Sequence, residues 1–89
     1  MDKRIKERIR FDKEYIQICV ADKKHMLDNL KERLTLVLGD KGMSDSSRFH
    51  EIISISQSIG EIAHEGSGLV DRLSQLDMIQ EFLAKLEAK

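Results

Sequence analysis

Eighty-nine residues with 40% apolar and 35% charged side chains, 15 basic against 16 acidic, describe one small domain that is neither disordered nor fibrous. A single cysteine and no apolar run longer than four residues exclude a disulfide scaffold, a Cys-rich zinc module and a membrane span, and a net charge of −1 argues against a whole-protein attraction to nucleic acid. With no Trp and only Phe11, Tyr15, Phe49 and Phe82 as aromatics, the chain cannot build a large aromatic core alone, so self-association is expected.

The first element is expected to be a helix from about residue 2 to residue 38. Ile9, Ile16, Val20, Leu27, Leu30, Leu34 and Val37 recur on alternating seam positions of a heptad, with Lys13 and Lys23 interrupting the same stripe. Such a helix would be roughly 55 Å long, and its apolar stripe reads as an oligomer or partner seam. A break near Ala21-Asp22 is the alternative. Cys19, between Ile18 and Val20, reads as a small core residue.

Gly39-Asp40-Lys41-Gly42 marks the first turn. A second helix is expected over 46–65, opened by the cap candidates Asp45-Ser46-Ser47 and carrying Phe49, Ile52, Ile55, Ile59 and Ile62 at 3–4 spacing. Gly66-Ser67-Gly68 reads as a second turn. A third helix is expected over 69–88, with Leu69, Leu73, Leu76, Ile79, Leu83 and Leu86 on one face. Asp71 near its start and Lys85 and Lys89 near its end suit the helix dipole. The expected fold is all-α: an antiparallel three-helix bundle, or a helical hairpin with one long coiled-coil-like helix, in an oligomer. In the bundle the first helix is nearly twice as long as the others and overhangs them.

Charge divides unevenly: residues 1–33 carry ten basic and seven acidic groups, residues 34–89 five and nine. The halves complement each other, as antiparallel packing or a head-to-tail oligomer requires. Acids interleave with the N-terminal bases, so a solvated helix face is expected there rather than a nucleic-acid-binding arm. A start without an apolar run does not read as a signal peptide, and a cytoplasmic protein is expected.

Two constellations bear on chemistry. His50, Ser54, Gln57, Glu61 and His64 fall on one helical face, and with Arg48 they form a candidate ligand-binding stripe for a phosphorylated or nucleotide ligand. Glu61-x-x-His64 is one copy of a motif that di-iron bundles use twice, so no metal or other cofactor is expected. No nucleophile elbow, phosphate loop or Cys–His pairing occurs, so no enzyme is expected.

Lys41-Gly42-Met43-Ser44-Asp45, followed by Ser56-Gln57 within a helix, resembles the helical-hairpin aspartyl-phosphate phosphatases of the sporulation phosphorelay. That resemblance implies hydrolysis of a receiver phospho-aspartate around Gln57. The chain departs from the family motif at Ser58-Ile59-Gly60, where the acid is missing, while Ser74-Gln75-Leu76-Asp77 carries an acid but is one residue short.

The expected function is therefore a non-catalytic protein–protein interaction module of regulator, adaptor or chaperone type. Its partners would be a second copy, in a dimer or larger assembly, and another protein. A binder that sequesters a small phosphorylated ligand and a phosphatase-like hairpin are the alternatives.

Overall fold

The computed structural model describes residues 3–88, and within them the chain is two long α-helices, α1 (Lys3–Gly39) and α2 (Asp45–Glu87). Residue 2, the expected start of the first helix, and Lys89, named above for the helix dipole, lie outside the described residues. The helices run antiparallel in a hairpin measuring 68 × 15 × 14 Å. No helix among the described residues is long and apolar enough to cross a membrane.

The three-helix expectation is corrected at one place. Gly66-Ser67-Gly68 is not a turn but the middle of α2, and helices over 46–65 and 69–88 are a single 43-residue helix. The reason is phase. Ile52, Ile55, Ile59, Ile62, Gly66, Leu69, Leu73 and Leu76 alternate spacings of three and four without a slip across the glycines. A continuous stripe packed on a partner helix outweighs the roughly 1 kcal/mol that each interior glycine costs. Gly66 and Gly68 have negative φ and open space where a Cβ would stand, so the helix neither exploits their freedom nor needs their small size. The expected overhang vanishes with the turn, because α2 is longer than the 37-residue α1. Nor does α1 break at Ala21-Asp22.

Five residues, Asp40 to Ser44, make the hairpin connection. The Asp40 carboxylate accepts from the Gly42 amide at 2.9 Å, closing an Asx-type turn. Ser44, with extended φ −69° and ψ 156°, caps α2 by accepting from the Ser47 amide at 3.2 Å. Arg48 then reaches back, donating to the carbonyls of Leu38 (3.3 Å), Asp40 (2.5 Å) and Met43 (3.4 Å). One guanidinium thus satisfies carbonyls left over at the end of α1 and in the turn.

Between the helices lies a single seam. Ile9, Ile16 and Leu76 form a core cluster within it, flanked by Val20, Leu69, Leu73 and Leu83. Ile55 is 1% exposed, and Val37 closes the seam near the turn. Three lysines stand in the α1 stripe and each meets a polar group on α2. Lys6 pairs with Glu87 at 2.6 Å. Lys13 donates to Gln80 at 2.8 Å and pairs with Asp77 at 2.5 Å. Lys23 pairs with Glu65, and Arg33 pairs with Glu51 at 2.6 Å closer to the turn. Partly exposed pairs of this kind contribute little stability each. Their stronger effect is on register, since sliding one helix would strand a lysine in an apolar stripe.

The hydrogen bond and charge of Lys23 hold the Glu65 carboxyl below the usual carboxylate range, and Glu65 raises Lys23 above the usual lysine value. Stability from the lowered Glu65 is present above the carboxylate's unfolded pKa and lost as pH falls through its folded pKa. Stability from the raised Lys23 is present below the lysine's unfolded pKa and lost as pH rises through its folded pKa. Denaturant midpoints for wild type and Glu65→Gln, measured from pH 2 to 7, should therefore differ most near neutrality and converge in acid. A constant difference would show that the charge pair is not responsible.

Candidate functional site

The predicted α1 seam is buried as expected, but its partner is α2 of the same chain. Ile9, Ile16 and Val37 are buried, and Val20, Leu27, Leu30 and Leu34 are half-buried along the hairpin interface. A continuous α2 is long enough to cover this whole stripe. The stripe is therefore not free to serve as an intermolecular seam while the hairpin is closed.

The polar stripe is real as a stripe. His50, Ser54, Gln57, Glu61 and His64 share the outer face of the turn-proximal half of α2, and all five are exposed. The His50 Nδ1 donates to the Ser46 carbonyl at 2.7 Å within its own helix, which turns Nε2 outward. Among the described residues no group of three or more His, Cys, Asp or Glu is arranged to hold a metal ion, so Glu61 and His64 gain no third ligand of that kind. Arg48 is set apart from the stripe, with its guanidinium held by the three turn carbonyls and its Nε buried without a partner.

The residues that resemble the phosphatase motif are also placed. Ser56 and Gln57 are exposed on α2. In the second stretch, Leu76 is buried in the hairpin core and Asp77 is paired with Lys13. Two open grooves mark the surface. One, of about 450 Å³, lies at the open end among Lys6, Ile9, Arg10, Gln80, Leu83 and Ala84. The other lies on α1 from Asp28 to Leu36. Neither includes a residue of the polar stripe.

What sequence reasoning missed is the other half of the apolar inventory. All four aromatics face outward: Phe11 and Tyr15 are 62% exposed, Phe49 63% and Phe82 61%. Ile5, Ile18, Met78, Ile79 and Leu86 accompany Phe11, Tyr15 and Phe82 at the open end, while Leu36, Leu38 and Ile53 are exposed with Phe49 near the turn. A signal was present in the spacing. Ile5, Tyr15, Ile79, Phe82 and Leu86 each sit one residue before a seam position, and Phe11, Ile18 and Met78 sit two before. At 100° per residue the first five fall on one side of the seam, while Phe11, Ile18 and Met78 fall on the back faces of their helices, turned away from the seam. In an antiparallel hairpin the flanks preceding the seam on the two helices fall on the same side, so Ile5, Tyr15, Ile79, Phe82 and Leu86 form one patch. Large contiguous apolar patches on a small protein mark interaction surfaces.

Arg48→Ala should lower the midpoint of thermal or denaturant unfolding in the absence of any ligand, by about 1–3 kcal/mol, because three carbonyls lose a charged donor. His50→Ala and His64→Ala should stay within about 0.5 kcal/mol of wild type. The reverse ranking would assign Arg48 to the stripe instead of the turn. Comparison with protein-family models, with curated proteins and with solved structures returns no match, so the reading of this surface stands on its geometry and chemistry.

Proposed function

We propose that the chain is a non-catalytic helical interaction module that binds protein through its exposed apolar flank. The observation that carries this reading is the outward placement of every aromatic side chain. Aromatics are the largest apolar groups a core has to bury, and they are enriched where protein surfaces meet. Here the hairpin core is built from Ile, Leu and Val instead, and the aromatic area is left to another surface.

Coiled-coil-like packing is the mode the sequence pattern supports. On α2 the flank carries Ile79, Phe82 and Leu86 at spacings of three and four, as a helix face must to lie along another helix. Ligand sequestration would instead engage the His50–His64 stripe, and its donors are spread along an open helix face without a cavity to exclude water.

Photo-crosslinking in cells separates the two. A benzoylphenylalanine placed at Phe82 should give protein adducts, and one placed at Gln57 should give none. The proposal is overturned if position 82 stays free while a nucleotide or phosphorylated metabolite raises the melting temperature in a way that His50→Ala and His64→Ala abolish.

A further inference from the structure

We infer that the occupant of the open-end patch is a second copy of this chain, and that the two hairpins overlap through their open-end halves with their turns at opposite ends. This rests on the interaction reading above and names the partner.

Surface area is the first reason. The chain exposes 7028 Å², whereas a compact monomer of 10.3 kDa is expected to expose about 5,400 Å². The surplus is about twice the roughly 800 Å² that each partner loses in an interface of standard size. A monomeric hairpin therefore has the surface of a half-finished bundle, and pairing two hairpins gives four helices around a closed core.

Charge is the second reason. Residues 3–22 and 70–88, which make up the open-end half, carry eight basic and eight acidic groups. A neutral surface of mixed sign can face its own copy without net repulsion, as a two-fold interface requires. A partner of strong single-sign charge would find no complementary field there.

The change in polarity along α2 sets the arrangement. On the flank that precedes the seam, the turn-proximal positions are Glu51, Ser54, Ser58, Glu61 and Glu65, and the apolar run begins only at Ile79. Hairpins laid side by side with their turns together would take this charged row out of water. Hairpins overlapping only at their open ends leave it hydrated and still bury Ile5, Tyr15, Ile79, Phe82 and Leu86. The turn lies about 40 Å from the middle of the patch at 1.5 Å per residue, so the turns of the two copies would stand about 80 Å apart.

Sedimentation equilibrium of the full chain tests the partner. The wild type should be a dimer at micromolar concentration. Tyr15→Glu and Phe82→Glu should each sediment as monomers that keep helical circular dichroism, while Phe49→Glu at the turn end should remain dimeric. A helical wild-type monomer at 100 micromolar would overturn the second copy, and crosslinks from position 82 to other proteins would show that the interaction reading survives. A dimer broken by Phe49→Glu but not by Phe82→Glu would overturn the patch. Spin labels on Lys41→Cys in a Cys19→Ala background test the arrangement, since a separation under about 40 Å between copies would contradict opposed turns.

Discussion

One continuous heptad seam governs this molecule. It starts near the beginning of α1, ends at the turn, and resumes in phase through all of α2, so each helix has a matching stripe along its length. Because the phase never slips, α2 has no reason to end at Gly66-Ser67-Gly68, and the chain takes the form of a two-helix rod. The lysines in the seam narrow the choice further. Lys6, Lys13 and Lys23 each need a partner on α2, and Glu87, Asp77 with Gln80, and Glu65 supply one at each level. Apolar packing alone would tolerate a slide of one heptad, but the half-buried amines of Lys13 and Lys23 would not.

The same geometry creates the exposed surface on which the proposed function rests. Two helices share one interface, and most side chains of a two-helix rod touch solvent on at least one side. Among the described residues only Ile9, Ile16, Val37, Ile55 and Leu76 are buried. An ordinary hairpin would keep its outer faces polar. Here the flank of α2 that precedes the seam is polar near the turn, from Glu51 to Glu65, and carries Ile79, Phe82 and Leu86 at the open end. This change along one flank underlies both the interaction reading and the proposed pairing of two copies.

Much of the fold was legible before the structure. The all-helical class, the extent of α1 to within about a residue at the turn, and the seam residues Ile9 to Val37 follow from periodicity, the strongest local signal a sequence carries. The second turn was misread because Gly-Ser-Gly is strong local punctuation, while the uninterrupted phase from Ile62 to Leu69 is a weaker and longer-range signal. Arg48 was grouped with the polar stripe by proximity in sequence, and nothing local reveals that its guanidinium folds back onto the turn. The aromatic flank went unread for a related reason. Phe11, Tyr15 and Phe82 look like core residues singly, and their offset from the seam means something only once α2 is known to fill that seam.

The claim on which the rest depends is that α2 runs unbroken through residues 66–68 and packs along all of α1. Distance measurement between spin labels on His50→Cys and Lys85→Cys, in a Cys19→Ala background, tests it most directly. Both positions are exposed, and in a continuous helix they stand about 52 Å apart at 1.5 Å per residue. If the chain instead turned back at the glycines, antiparallel helices about 10 Å apart would bring the labels to within about 20 Å of each other. A distribution centred near the longer distance is the predicted result. One centred near the shorter would restore a three-helix bundle and remove the basis for the exposed flank.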